Sequence, residues 1–302
     1  MGEAARTPDA ATPGEAIDVC VCTFRRPSLR ATLASLAAQT RRARMRVIVA
    51  DNDVEPSAQD RVAAARAELG LDIAYLHAPA QNISVARNAC LDAASAPLIA
   101  FIDDDEEAPP DWLERLCSAL GDADIVFGPV RAIYPPDAPS WMVEGDFHSA
   151  RPVMRRNVVE TGYTSNTLVR ASALAALRFD PALGRTGAED GPFFAALFRQ
   201  GAKPTFCAEA FVSEPVPPER ASLRWRIVRA YVSGQVRSLI WRDEGRSRAR
   251  MVASAGAKAL YCAVATLAAL PSSVGWRRNV IRGALHVGVV AKSLGAPTFL
   301  RR

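Results

Sequence analysis

Apolar positions in this chain alternate between two rhythms. Short β-like runs at residues 17–23, 45–50, 71–76 and 97–102 are separated by stretches where apolar residues recur every three to four positions. The first pattern predicts strands and the second helices. After residues 17–23, Pro27 suits a first helical turn and Leu29, Leu33 and Leu36 share a face. Pro56 opens a second helix that closes near Gly70, and residues 84–94 make a third. Pro110, Trp112, Leu113, Leu116, Leu120 and Gly121 punctuate a fourth. Strand and helix thus alternate four times, which predicts a parallel, doubly wound α/β sheet flanked by helices.

From Asp124 the rhythm breaks into short strands and Pro-rich loops, as in YPPDAPSW at residues 134–141. Residues 166–169 read as a strand, 171–177 as a short helix, and 189–200 as a helix turning Phe193, Phe194, Leu197 and Phe198 inward. Residues 206–213 are expected to return to the sheet. After Pro218 the chain reads as helical, basic and aromatic. Its most apolar piece, residues 259–270, is twelve uncharged positions, short of the roughly 20 that cross a bilayer as a helix. Residues 283–291 form a shorter run. These two segments read either as interfacial or re-entrant helices on a membrane or as ordinary core helices. The expected organisation is a leader over residues 1–15, a catalytic domain over 16–218 with its two halves meeting near 123/124, and a helical basic extension over 219–302.

Charge sharpens this division. Residues 219–302 hold sixteen Lys and Arg against three acids, a net of +13, while residues 1–218 carry −8. An acidic body with a basic tail points to an anionic surface, nucleic acid or lipid headgroups. The opening residues lack an apolar h-region and read as a disordered leader. Six cysteines without paired metal-type spacing fit a reducing cytosol.

The chemistry gathers at PLIAFIDDDEE, residues 97–107, where an apolar strand runs into five consecutive acids. Open α/β sheets hold ligands at the carboxyl ends of their strands. Hard oxygens at this density suit Mg²⁺ or Mn²⁺ bridged to a diphosphate; the other reading is a solvated acidic loop. Five like charges also require a cation among them. No GxGxxG or GxxxxGK[ST] is present, which argues against a dinucleotide fold or a P-loop.

The segments DVCVCTFRRPSL, VIVADND, ISVARNACLDAASAPLIAFIDDDE and GRTGAEDGPFF, in this order, resemble the family 2 glycosyltransferases of GT-A fold, and most closely their bacterial exopolysaccharide, succinoglycan glucosyltransferase-like branch. The similarity covers about residues 17–230. It implies a Rossmann-like, mostly parallel sheet, and a metal-dependent, inverting transfer of one hexose, glucose by family preference. The donor would be a UDP-sugar and the acceptor a lipid-linked saccharide in polysaccharide synthesis. By the same resemblance Thr23, Arg25 and Asp51 would meet uracil and ribose, Arg87 would close on the base, Asp103 would face the ribose and Asp105 the metal. Asp104 would be structural, and Asn166 would lie near the transferred sugar or acceptor. Glu189 and Asp190 match the acidic pair before the acceptor site, with Asp190 as general base; the same two acids also favour a helix's first turn.

The chain departs from the pattern at three places. Asn82 stands where many relatives have glycine and is expected to tolerate a left-handed conformation. Ala188 replaces a glycine before the acidic pair. Residues 221–225 only echo the polymerases' Gln-x-x-Arg-Trp, which favours single-sugar addition. The expected location is cytoplasmic, peripheral on the inner membrane face. A catalytically silent scaffold that binds nucleotide or membrane is the alternative, and the intact Asp103, Asp105 and Asp190 argue against it. A nucleic-acid partner is not expected, because the tail has apolar runs and no aromatic RNA-binding motif.

Overall fold

The computed structural model describes residues 15–41, 44–156 and 158–298; nearly all of the expected leader lies outside them. The chain begins β1 (Ile17–Thr23), α1 (Leu29–Ala37), β2 (Met45–Asp51), α2 (Gln59–Leu69), β3 (Ile73–His77), α3 (Ile83–Ala93), β4 (Leu98–Ile102), α4 (Trp112–Leu120) and β5 (Ile125–Phe127). Then follow β6 (Val130–Ile133), α5 (Ser140–Gly145), β7 (Met154–Arg155), β8 (Val158–Val159), β9 (Asn166–Arg170), α6 (Ala171–Leu174), α7 (Asp190–Arg199), β10 (Pro204–Phe206) and β11 (Val212–Pro215). Three helices close the order: α8 (Leu223–Asp243), α9 (Arg248–Ala268) and α10 (Ser273–Ser293).

Seven strands form one sheet in the order β10-β5-β9-β4-β1-β2-β3. It is parallel throughout except at β9, which runs antiparallel to both β4 and β5. The sheet is therefore mixed and mostly parallel. The expected return of residues 206–213 to the sheet is corrected: the returning strand is Pro204–Phe206, while β11 pairs with β6 in a separate ribbon. Helix α2 ends as its sequence requires, on Gly70 at φ 58 with its N–H on the Arg66 carbonyl.

The chain divides into two compact units. The first comprises residues 1–130, 151–179 and 196–213 and contains the large sheet. Its core is continuous, with Leu29, Leu33 and Leu36 of α1 and Leu113, Leu116 and Leu120 of α4 packed on the aliphatic residues of β1, β2 and β4. A polar knot sits inside it. Asn166 is fully buried; its Oδ1 accepts from Trp112 Nε1 at 2.8 Å, and its Nδ2 donates to the carbonyls of Pro129 at 3.0 Å and Ala210 at 2.7 Å. Only glycine fits at 128, where a Cβ would stand 1.9 Å from the Ala210 oxygen. Asn166→Ala would leave the Trp112 indole N–H and the Ala210 carbonyl unsatisfied, while Pro129 keeps its bond from Val212 N, an expected loss of roughly 2 kcal/mol or more. Urea unfolding would read this as a lowered midpoint with unchanged slope.

The second unit comprises residues 131–150, 180–195 and 214–302. The expected boundary at 218/219 falls inside it, because two earlier segments cluster with the tail. Here α10 packs against both α8 and α9. At the α8 crossing a Cβ on Gly234 would lie 1.9 Å from the Leu285 oxygen, and one on Gly288 would lie 2.0 Å from the Tyr231 oxygen. Two glycines thus let two backbones touch.

Candidate active site

In the first unit, parallel register brings strand ends together. Thr23 lies opposite Asp51, and Asp51 opposite His77, at the carboxyl edge of β1, β2 and β3. Beside them β4 ends in the acidic run, which turns back on itself: Glu106 N donates to the Asp103 carbonyl at 3.2 Å, and Asp103 N donates to Glu106 Oε2 at 2.8 Å.

The cations that five adjacent acids require are present. Arg87, buried on α3, approaches Asp103 at 3.5 Å, and Arg26 meets Asp105 at 3.0 Å. Ser165 donates its hydroxyl to the other Asp103 oxygen at 3.1 Å. Between the two paired acids, Asp104 points inward and accepts the Thr23 hydroxyl at 2.7 Å. Burial pushes its carboxyl up to about 7, against the lowering effect of that hydrogen bond. Thr23 therefore supports the acidic turn from below. The only sequence signal for Arg26 is the doubled arginine of FRRP.

Asp51 is fully buried and organises the loop after β2. Its oxygens accept from Asp53 N at 3.1 Å, Ala58 N at 2.7 Å and the Tyr75 hydroxyl at 2.9 Å. Arg25, at φ 54, reaches Asp53 with a two-pronged pair of 2.7 and 2.9 Å. This pair holds the Asp53 carboxyl down to about 2. The Arg25 side chain is 62% exposed, so it is open to a ligand despite the pair. Arg87 also lies over the Phe179 ring, 5.5 Å from its centroid. Asn166 belongs to the core knot, where both of its amide hydrogens are in use.

The left-handed conformation expected at Asn82 is corrected. Asn82 is extended, at φ −147, and caps α3 by accepting from Ser84 N; the positive φ of 47 falls on Gln81. An Asn at this place serves better as a cap than as a turn residue, since its oxygen reaches the helix's second N–H.

Glu189 and Asp190 lie in the second unit. Asp190 is the first residue of α7 and is half-buried, whereas Glu189 is buried. The loop before them is braced by α8: Arg229 donates to the Gly187 carbonyl, and Gly191 packs where a Cβ would lie 3.2 Å from Ile240 Cδ1. Gly187 itself takes φ 65. A carboxylate at a helix N-terminus is stabilised in its charged form, and on a braced loop it is placed to accept a hydrogen bond from a hydroxyl.

Among the described residues, no group of three or more His, Cys, Asp or Glu side chains forms a metal cage. A divalent ion shared with a diphosphate needs no such cage, because substrate and water fill most of its positions. Asp105 fits that use: it is a hard carboxylate, 13% exposed, at a strand end, and it already draws a cation.

Comparison with known proteins identifies the family. Residues 18–178 match the family model "Glycosyl transferase family 2". The succinoglycan biosynthesis protein ExoM of Rhizobium meliloti is 47% identical over 287 residues, covering 92% of this chain and 93% of that protein. A glucosyl-dolichyl phosphate glucuronosyltransferase of Haloferax volcanii is 28% identical over 241 residues, 72% of this chain and 75% of that one. Among solved structures, the mannosyltransferase PcManGT of Pyrobaculum calidifontis, in complex with GDP-Man and Mn²⁺, superposes with a TM-score of 0.62 at 20% identity, covering 96% of this chain and 89% of that chain.

Proposed function

The chain belongs to glycosyltransferase family 2, and on that premise we propose that it moves a single hexose, glucose by family preference, from a UDP-sugar to a lipid-linked saccharide in exopolysaccharide assembly. The observation that carries this reading is the carboxylate turn after β4, with Asp103 and Asp105 each held beside an arginine at the sheet's carboxyl edge. Asp103 faces the donor ribose in this reading, and Arg25 and Arg87 supply the cationic and planar contacts for the nucleotide. Thr23 and Asp51 act by shaping that edge. Asp105 would hold Mg²⁺ or Mn²⁺; when bound, the ion offsets charge on the departing diphosphate. Asp190 takes the proton of the acceptor hydroxyl as it attacks the anomeric carbon opposite the leaving nucleotide, which inverts that centre. The test is UDP release from a panel of nucleotide sugars with membrane lipid extract, with and without Mn²⁺. Release from none of them in any metal would overturn the proposal.

A peripheral place on the cytoplasmic membrane face completes the reading. Helix α9 is 21 residues long, about 31 Å at ~1.5 Å per residue. It therefore extends well beyond the twelve-residue apolar run. By length and composition it could cross a bilayer, a test that the mostly buried core helix of a soluble protein also passes. Its Leu260, Tyr261, Val264 and Leu267, with Leu270 just beyond, are each more than half exposed. At its other end Arg242, Arg246, Arg248 and Lys292 line a hollow of about 290 Å³. An apolar face with nearby cations suits an anionic lipid surface, each cation close to it contributing about 1 kcal/mol. Liposome flotation is expected to capture the chain on anionic vesicles at low salt, less so at high salt, and weakly on neutral ones. Failure to float in any of these conditions would remove the membrane from the proposal.

A further inference from the structure

One cation in the second unit lacks an answer. Arg226, on α8, has its Nε buried without a hydrogen bond, and its guanidinium has no ion-pair or hydrogen-bond partner among the described residues. Burial, and then the like charge of Arg229, press its pKa downward. A charge removed from water is ordinarily paired. Its carbon lies 5.8 Å from the Trp225 ring centroid, a contact that gives partial compensation only.

His148 lies against the same indole, stacked at 5.3 Å and 29°. Its Nε2 is also buried and unbonded, while the ring's remaining nitrogen is engaged by the Arg220 backbone. Burial, followed by the field of Arg226, holds the imidazole down to about 4, so it is neutral near pH 7. With its other nitrogen donating to a carbonyl, Nε2 carries a lone pair and accepts. Arg229 follows Arg226 by about one helical turn, gives an N–H to the Gly187 carbonyl, and has no acidic partner among the described residues. The acids of this network are already engaged, Asp146 by the Tyr134 hydroxyl and Glu214 by Arg220.

We propose that Arg226, Arg229 and His148 form a binding site for the phosphate or diphosphate of a sugar phosphate, with the arginines donating to anionic oxygens and His148 Nε2 accepting a sugar hydroxyl. Arg229 brings the site to the loop that carries Asp190, so a sugar bound there is held by the unit that holds the base. The inference rests on the reading of Asp190 as base for its role in transfer, though not for the binding itself. The same chemistry could come from a lipid-linked acceptor or from the donor's own diphosphate.

Calorimetry on the full chain separates these, using glucose 1-phosphate, inorganic diphosphate, and UDP with Mn²⁺. Arg226→Met is expected to bind glucose 1-phosphate and diphosphate at least tenfold more weakly, while its unliganded melting temperature rises because an unpaired cation is gone. His148→Phe keeps the stack on Trp225, so it is expected to weaken glucose 1-phosphate but not diphosphate. If Arg226→Met leaves UDP affinity unchanged, the bound phosphate is the acceptor's; if UDP weakens in parallel, it is the donor's. Wild-type chain that binds neither glucose 1-phosphate nor diphosphate would overturn the site, as would wild-type affinity for both in Arg226→Met. Loss of sugar phosphate binding in the variant, in a chain that never binds UDP, would uphold the site and remove the UDP-donor reading instead.

Discussion

Asp190→Asn is expected to lower sugar transfer at least ~100-fold while leaving donor affinity unchanged. The substitution keeps the side chain's shape and removes its ability to take a proton. Asp190 stands at the first position of α7, so the change also removes a favourable charge from a helix N-terminus. That loss is about 0.5–1 kcal/mol, too small to unfold the loop. The loop has its own supports in Arg229 and in the packing of Gly191 on α8. Transfer rate and nucleotide affinity are measured separately, by product formation and by calorimetry. A variant that transfers at the wild-type rate would move the base elsewhere, and the buried Glu189 would be the next residue to replace.

Asp105→Ala is expected to abolish Mn²⁺-dependent UDP binding and to reduce transfer by roughly 1000-fold, the equivalent of about 4 kcal/mol of charge stabilisation. The fold should survive. Removing one of five adjacent acids relieves repulsion, and the ion pair lost with Arg26 contributes about 0–1 kcal/mol where it is partly solvated. Circular dichroism and the melting temperature establish the fold, and titration of Mn²⁺ and UDP together reads the site. Undiminished metal-dependent affinity in the variant would assign the metal to another ligand.

The first four strand-helix repeats were legible because each carries its own period and punctuation. Strand direction was not. The residues of β9 are buried without alternation from Asn166 to Val169, and nothing in NTLVR states that it runs against β4. The return to the sheet was misplaced because Pro204–Phe206 is three residues long, too short to show a period. At the site, the acidic run announced its position and its need for cations, but not which cations. Arg26 comes from the β1–α1 connection and Arg87 from within α3, and they meet the acids only in the folded sheet. Asn166 shows the converse limit, since a polar residue at a strand start gives no sign of whether it faces a ligand or ties a core together. The tail was readable as helical and basic, yet its grip on the Gly187 loop joins segments 42 positions apart. No local pattern encodes that.

The glycine crossing of α8 and α10 bears on the order in which this protein becomes an enzyme. Residues 180–195 leave the ribosome before α8 exists, and α8 in turn reaches its packed position against α10, whose Gly288 closes on the Tyr231 carbonyl. The large sheet has all seven strands once Phe206 has been made. A nascent chain can therefore complete its sheet before α8, whose Arg229 and Ile240 brace the loop that bears Asp190, has been made and has found α10 to pack on. If Asp190 is the base, the ability to activate an acceptor is acquired late in synthesis, after the sheet is complete.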